Sequence, residues 1–227
     1  MHNLSPLSGV VSVEYRTTFE KFLFPAAFVA LLGVILGGVN LYAAPEDLRG
    51  FGIALLLISL LSLPTLVALM FGLSSHYDFD GNTRTLWFRI NVFSLSYRVR
   101  YASFSDISAF ATSGIRNRAR IHTWWNYKVV MLLKNGRMVS ISGARDKSVY
   151  AMNRLSEKLA GTVGCVFFNS EPELVAHAPV AGDRPIVEFH DWTTADYYTE
   201  FWPDIALSLL FFAAIVAFIV GLAVSLS

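Results

Sequence analysis

Three long stretches without a charged side chain constrain this chain more than any other feature of its sequence. They cover residues 22–44, 51–73 and 205–226. A helix rises about 1.5 Å per residue, so each stretch is long enough to cross a hydrocarbon core of about 30 Å. Pro64 lies near the middle of the second stretch, where its missing amide predicts a kink. The sequence therefore predicts three transmembrane helices.

The composition agrees with this interpretation. Hydrophobic residues make up 54% of the 227 residues and charged residues 15%, with a mean hydropathy of +0.49. Such a chain is too apolar and too thinly charged for an ordinary soluble domain. Cys165 is the single cysteine, which excludes an intramolecular disulfide and a cysteine-rich metal cluster. We interpret it as a small packed side chain rather than a reactive thiol.

The positions of lysine and arginine predict the orientation in the membrane. Of the 18 Lys and Arg residues, Arg49 alone lies between the first two apolar stretches, and Arg16 and Lys21 precede the first. The remaining 15 lie between the second and third stretches. Because positively charged segments stay in the cytoplasm, we expect the N-terminus and the central segment on the cytoplasmic side of a membrane, with the bacterial inner membrane as its expected location.

The central segment alternates between apolar and polar residues in the manner of β-strands. In residues 95–101 the apolar side is predicted to face the core and the polar side to face water. The apolar side consists of Leu95, Tyr97, Val99 and Tyr101, and the polar side of Ser96, Arg98 and Arg100. Gly81-Asn82 and Asn135-Gly136 are typical of hairpin turns. The predicted strands are 76–80, 84–90, 95–101, 104–112, 122–134 and 138–142, with 113–121 as an arginine-rich loop.

The spacing of apolar residues changes from that of a strand to that of a helix after the last of these strands. Apolar residues at helical spacing predict an amphipathic helix over 146–161, ending at Gly161. A short extended segment is predicted at 163–168.

This order of elements resembles a known family. Two transmembrane helices that lead into a strand meander, the FSDIS strand at 104–108, the Asn135-Gly136 hairpin and the terminal helix are similar to the bacterial pleckstrin-homology-like (PH-like) membrane proteins. Within them the order resembles the photosystem I assembly factor of chloroplasts and cyanobacteria, in which a helical hairpin carries a small β domain. The resemblance covers residues 22–168, and the third span with its acidic connection departs from the two-span pattern.

The resemblance implies an α+β membrane protein. A PH-like antiparallel β-barrel or sandwich, closed by a C-terminal helix, would be inserted between spans 2 and 3. It also implies a role as an assembly scaffold or accessory protein. The predicted domains are an N-terminal cytoplasmic segment (1–21), a transmembrane helical hairpin (22–73), a cytoplasmic PH-like domain (74–168), an acidic linker with an interfacial segment (169–203) and a third transmembrane helix (204–227).

The linker has two predicted parts. Pro172, Pro179 and Gly182 predict that residues 169–184 are extended and mobile. Thr193 or Thr194 is expected to cap a short interfacial helix that runs through Trp202.

Charge is divided sharply between the domain and this linker. Residues 74–168 contain 14 Lys and Arg against 5 Asp and Glu, a net charge of +9, whereas residues 169–202 contain 7 acids and Arg184, a net charge of −6. A basic domain tethered at a cytoplasmic leaflet is attracted to anionic headgroups or to an acidic partner. An equally weighted interpretation is that the acidic linker neutralises the basic domain.

The most site-like feature combines arginine with aromatic residues. Arginine offers forked donors to phosphate or carboxylate, and exposed tryptophan offers apolar area, a composition typical of an interaction hot spot or a headgroup clamp. The opposing interpretation is that Trp125 and Tyr127 face the core. The candidate binding residues are Arg116, Arg118, Arg120, Trp124 and Trp125, with Arg98 and Arg100 on a preceding strand.

The first apolar stretch also carries a helix-packing motif. Gly33 and Gly37 form a GxxxG, on which another helix can approach closely. We expect that helix to be the second or third span of this chain, with a foreign helix as the other possibility. The spans contain no ionisable side chain, which argues against a transporter.

Catalysis finds little support in the sequence. The five histidines are scattered, and HExxH, GxSxG and phosphate-loop motifs are absent. Glu188, His190 and Asp191 are close together in sequence but are more typical of a solvated turn than of a metal site. We therefore expect a non-catalytic scaffold, assembly factor or accessory subunit with a membrane protein partner, without cofactor, metal, small-molecule substrate or nucleic acid. The second hypothesis is a module that recognises anionic lipid headgroups.

Overall fold

The computed structural model describes residues 9–43, 45–119, 121–143, 146–179 and 186–226, and it has an α+β fold. These residues form two compact units. The helical unit contains residues 17–73 and those from 201 onward, and the β unit contains the residues up to 16 and from 74 to 200.

Two helices in the helical unit are long and apolar enough to cross a membrane. They are α1 (Thr18–Ala43) and α2 (Glu46–Gly72), and α2 continues through Pro64. Two of the three predicted spans are thus confirmed as helices that are long and apolar enough to cross a membrane. The last helix, α4 (Thr194–Leu226), qualifies as a span only if Thr194–Trp202 and Ile205–Gly221 are counted as one segment. The third span therefore stays a prediction.

The glycines of the GxxxG motif lie where α1 packs against α2. A Cβ added at Gly37 would lie 2.8 Å from the backbone nitrogen of Leu56, and one added at Gly33 would lie 2.2 Å from the hydroxyl of Ser59. Gly52 of α2 approaches Asn40 of α1 in the same way. The small residues thus allow the two backbones to approach closely, as such residues do in membrane helices.

The β unit contains ten strands among the described residues, arranged in three open sheets. The strands are β1 (Val10–Tyr15), β2 (Leu73–Asp80), β3 (Thr85–Val92), β4 (Leu95–Ser103), β5 (Ile107–Ala119), β6 (His122–Leu133), β7 (Met138–Ser140), β8 (Val166–Phe168), β9 (Leu174–His177) and β10 (Glu188–Asp191). The sheets have the orders β1-β2-β3-β4, β7-β6-β5-β8 and β10-β9. Within the described residues no sheet closes on itself, so the predicted barrel is not formed. The PH-like architecture stays a prediction.

The first sheet is antiparallel in its described pairings and contains a strand that the sequence analysis missed. β1 pairs with β2 along its whole length, with Val13 opposite Tyr77. Residues 10–15 are therefore part of the sheet. At the other edge β4 pairs with β3, and here a prediction is wrong: Leu95, Tyr97 and Val99 are exposed, and only Tyr101 of that face packs into the core.

The second sheet contains the longest hairpin. β5 continues through residues 113–119, which the sequence analysis assigned to a loop. That assignment is wrong because β6 pairs with β5 through Ala119, opposite His122, so the backbone hydrogen bonds are satisfied by the ladder whatever the side chains are. The predicted strand at 104–112 begins instead with a short 3-10 helix, Phe104–Asp106. β8 confirms the extended segment before Phe168, and it runs parallel to β5.

Helix α3 (Val149–Val163) confirms the predicted amphipathic helix. Ser148 caps its start by accepting a hydrogen bond from the Ala151 amide, 3.3 Å away. It ends at Val163, two residues later than predicted, and the next residue, Gly164, caps it in the left-handed conformation with φ of 81°. Its buried face packs on β5, where the hydroxyls of Ser156 and Thr112 lie 3.1 Å apart.

The main core lies between the first sheet, the second sheet and α3. Its fully buried large side chains include Phe79, Leu86, Phe110, Met131 and Leu159. A smaller cluster on the other side of β5 and β6 includes Ala176 of β9 and Val187, the residue directly before β10.

The predicted linker is more ordered than expected where it is described. β9 and β10 pair as a two-stranded sheet, and the Ala176 amide donates to the hydroxyl of Ser113 on β5, at 3.2 Å. Residues 180–185 lie outside the described residues.

Candidate functional site

The distal half of the β5–β6 hairpin carries the arginines of the predicted site. Arg116 lies opposite Trp125, and Arg118 lies opposite Thr123. Residues opposite each other in an antiparallel pair share a face of the sheet, and alternate residues of one strand do too. The two arginines, Trp125 and Thr123 therefore lie on one face of the hairpin. Arg120 lies outside the described residues.

The start of α4 lies over this face. The ring of Trp192 meets the ring of Trp125 edge to face, with 6.2 Å between centroids and 88° between planes. Between the hairpin and the start of α4 there is an open groove of about 590 Å³. Its lining residues are Arg116, Arg118, Trp192, Thr193, Thr194 and Tyr197.

A capping box fixes the groove's far wall. The amide and hydroxyl of Thr193 both donate to Oδ2 of Asp196, at 2.8 and 2.6 Å, and the Asp196 amide donates back to the Thr193 hydroxyl at 3.3 Å. This reciprocal pairing satisfies amides that the first turn of a helix leaves free. It confirms the predicted cap at Thr193 and holds Thr193, Thr194 and Tyr197 in place relative to Trp192.

A second contact joins α4 to the hairpin. Lys128 of β6 and Glu200 of α4 form an ion pair, with 14% and 30% of their side chains exposed. The acidic segment thus neutralises one basic residue of the domain, as one of the two interpretations of the charge pattern required. Glu200 therefore pairs with Lys128 and does not neutralise the arginines of the groove.

The groove keeps its positive charge. Arg116 and Arg118 are exposed, and in the part of the chain that the structure describes neither forms an ion pair. Guanidinium groups bind carboxylate and phosphate through paired donors, and aromatic rings beside them supply apolar contact. The arrangement can therefore hold an anionic group that carries an apolar or planar neighbour.

The other predicted binding residues do not join this groove. Trp124 lies opposite Asn117, hence on the other face of the hairpin from Trp125. Trp125 is half-buried against Trp192, so it supports the groove wall. Arg98 and Arg100 lie on β4 in the first sheet, where the Arg98 guanidinium lies 4.9 Å from the centre of the Trp87 ring.

Four lining residues were not among the predicted binding residues. Trp192 falls in the acidic segment, which was interpreted as a connection. Thr193 and Thr194 were named only as possible helix caps, and Tyr197 lies in the helix predicted to follow them. The available signal was Trp192 itself, a large aromatic directly before the predicted cap. Its partner on a strand that lies 67 residues earlier, Trp125, is a long-range pairing without a local pattern.

The described residues give little support for a metal site or a reactive nucleophile. Among them no group of three or more His, Cys, Asp and Glu side chains is placed to hold a metal ion. Glu188, His190 and Asp191 are on β10, where the His190 ring lies 5.8 Å from that of His177. Burial raises the pKa of the Cys165 thiol to about 11, so it is protonated at neutral pH and a poor nucleophile.

No protein-family model matches this chain, and no curated protein matches it.

Proposed function

We propose that this protein is a non-catalytic accessory or assembly subunit of a membrane protein complex. Its groove would bind an acidic segment of the partner. The observation that carries the proposal is the pair Arg116 and Arg118, exposed and without an ion pair among the described residues, beside aromatic rings on a wall that a capping box holds in place. A chain with two membrane helices brings such a groove permanently close to other membrane proteins.

The proposal includes the finer architecture. The chain would cross the membrane three times, with α4 as the last span, and the β unit would be a PH-like domain on the cytoplasmic side of the bacterial inner membrane. The concentration of Lys and Arg in residues 74–168 supports this orientation. The meander of strands followed by α3 supports the PH-like comparison.

Co-purification in gentle detergent, followed by mass spectrometry, tests the partner. The variant Arg116→Gln/Arg118→Gln is compared with Lys134→Gln/Arg137→Gln, which removes the same charge from exposed residues at the opposite end of β6. Loss of buried arginine contacts costs about 2 kcal/mol or more, about thirtyfold in affinity. We expect a membrane protein that is retained by the wild type and the control and lost from the groove variant. Equal retention by both variants would refute the proposal.

A second candidate function, recognition of anionic lipid headgroups, has its own supporting observation. The groove is lined by Tyr197, which is exposed and is followed along α4 by the exposed side chains of Tyr198 and Trp202. Tyrosine and tryptophan are enriched where a membrane helix meets the headgroups. Arg116 and Arg118 could bind the phosphate of a lipid headgroup at this position.

Lipid retention separates the two functions. The full chain is purified from nanodiscs of phosphatidylcholine and phosphatidylglycerol, and the lipids that remain bound in detergent are quantified. Selective retention of phosphatidylglycerol that disappears in Arg116→Gln/Arg118→Gln, but not in the Lys134→Gln/Arg137→Gln control, supports lipid recognition. Retention of both lipids in their bulk proportion by every variant excludes it.

A further inference from the structure

The hairpin of β3 and β4 exposes apolar side chains that an isolated domain would bury. Exposed fractions are 61% for Phe93, 75% for Leu95, 69% for Tyr97 and 45% for Val99. Phe93 is in the turn between the strands and has a φ of 54°, which only a few per cent of residues other than glycine adopt. Large apolar side chains clustered in this way mark a contact surface.

These residues continue the core face of the sheet past the end of the core. Tyr101, Val99, Tyr97 and Leu95 alternate along β4 and share a face, and Tyr101 stacks edge to face on buried Tyr77, 5.3 Å away. On β3 the partners of Val99, Tyr97 and Leu95 are Phe88, Ile90 and Val92. The apolar face therefore runs without interruption from the core to the turn.

The turn lies at a particular end of the sheet. β1 ends at Tyr15 and α1 begins at Thr18, while α2 ends at Gly72 and β2 begins at Leu73. The ends of β1 and β2 that connect to the two membrane helices are level with each other, since Tyr15 pairs with Ser75.

The C-terminal end of β3 is level with these ends of β1 and β2. The Asn91 side chain donates to the hydroxyl of Ser74 at 3.2 Å, and Val92 pairs with Leu95. Phe93 therefore lies at the end of the sheet at which the chain connects to α1 and α2. The opposite end, with the turn that contains Thr83, is one strand length away, about 26 Å for eight residues.

The other face of β4 is basic. Arg98 and Arg100 alternate with the apolar residues and are exposed. Arg89 of β3, opposite Arg98, is paired with Asp78, its Nε 3.0 Å from Oδ2. Arg98 and Arg100 thus keep a charge that suits anionic headgroups.

From these observations we propose that the β3–β4 hairpin inserts its turn into the headgroup region of the same bilayer that α1 and α2 cross. Phe93, Leu95 and Tyr97 would enter the boundary between headgroups and acyl chains, and Arg98 and Arg100 would meet lipid phosphates. The occupant of the apolar face is then lipid. Short chain connections join this end of the sheet to both membrane helices, which favours lipid over a soluble partner.

The depth of insertion is limited by the backbone. β4 is the edge of its sheet, so half of its amides and carbonyls have no strand beyond them. Backbone groups without partners are costly in hydrocarbon, whereas the headgroup region supplies water and phosphate oxygens. The hairpin would therefore rest in the interface and not cross further.

Site-directed fluorescence tests this proposal in the full chain. On a Cys165→Ser background, Phe93→Cys and Tyr97→Cys are labelled with bimane, and Thr83→Cys serves as a matched turn position at the other end of the sheet. The proteins are reconstituted into vesicles of phosphatidylcholine and phosphatidylglycerol that carry lipids with a nitroxide near the headgroup. We expect about threefold stronger quenching or more at 93 and 97 than at 83, because an interfacial residue lies within a few ångströms of the nitroxide.

Two outcomes would overturn it. Equal quenching at 93 and 83 would place the turn in water. Protection of position 93 that grows with the amount of protein per vesicle, with energy transfer between labelled copies, would assign the surface to a second copy of the chain. If Cys165→Ser reduces folding, the same series is made with Cys165 retained, since its half-buried thiol reacts slowly. None of these positions lines the groove, so the result does not depend on the proposed function.

Discussion

The β3–β4 and β5–β6 hairpins both place apolar side chains on alternate residues, but they are covered to different extents. Along β5–β6 one face meets α3 and the start of α4, and the other meets β9 and β10. On β4 the corresponding face is exposed from Val99 to the turn. The alternation of apolar and polar residues therefore predicts that a strand has an apolar face. It does not predict what packs on that face, which can be a distant part of the chain or a molecule outside it.

The largest expected difference between the hairpins is in stability. Phe110 of β5 is fully buried and its ring packs 5.7 Å from that of Phe79, so Phe110→Ala should lower the free energy of unfolding by about 3–5 kcal/mol. Tyr97→Ala on β4 should cost less than about 0.5 kcal/mol in detergent. Denaturant unfolding followed by tryptophan fluorescence measures both. Similar losses for the two variants would show that the β4 face is covered after all.

The contact of β9 with β5 comes next. A Cβ at Gly114 would lie 2.8 Å from the carbonyl oxygen of Leu174 and 3.0 Å from the Trp125 ring. We expect Gly114→Ala to cost about 1–3 kcal/mol, because backbone must move to admit the methyl group. In Gly161→Ala the added Cβ meets nothing within 4 Å inside α3, so that variant should gain about 0.5–1 kcal/mol from helix propensity. An unchanged Gly114→Ala melting temperature would contradict the close approach.

The ion pair that joins α4 to β6 should contribute less. Glu200→Gln removes the charge that faces Lys128, and we expect a loss of about 1–2 kcal/mol, reduced in high salt. Glu171→Gln changes an exposed acid of the same segment and serves as the control. Thermal unfolding at low and high ionic strength distinguishes them. A loss that is the same for both variants would mean that the pair adds nothing specific.

The smallest effect concerns Cys165, which packs against the core beside β8. Burial raises its pKa from 9.0 to about 11, so the folded state favours the protonated thiol. Its contribution to stability is complete below pH 9 and is lost as the pH rises through about 11. At pH 8.5 the thiolate fraction should be about a hundredfold below that of a free cysteine. The rate of alkylation, measured against pH, should keep rising past pH 10, and a plateau near pH 9 would disprove the shift.

The sequence predicted what local periodicity controls. Uncharged length identified α1 and α2, helical spacing identified α3, and the Asn135-Gly136 turn joined β6 to β7. It failed where pairing is long-range. β1 is a strand because β2, more than fifty residues away, pairs with it, and residues 113–119 are a strand because β6 continues beside them.

The candidate site divides in the same way. Arg116 and Arg118 were found from composition, since a run of arginine next to tryptophan is visible in the sequence alone. The wall formed by Trp192 and Thr194 was not found, because its place depends on how α4 returns to the hairpin. Trp124 was included because it is next to Trp125 in the sequence, although neighbouring residues of a strand lie on opposite faces.

The close approach of α1 and α2 limits how this chain can assemble with others. Gly33, Gly37 and Gly52 are all occupied by the neighbouring helix of the same molecule. A helix of another protein could pack on these glycines only if α1 and α2 first separated. Binding of a partner helix inside the bilayer would therefore compete with the packing of α1 against α2. The residues that distinguish one membrane protein partner from another must then lie outside the hydrocarbon core. There, one partner can replace another without separating α1 from α2.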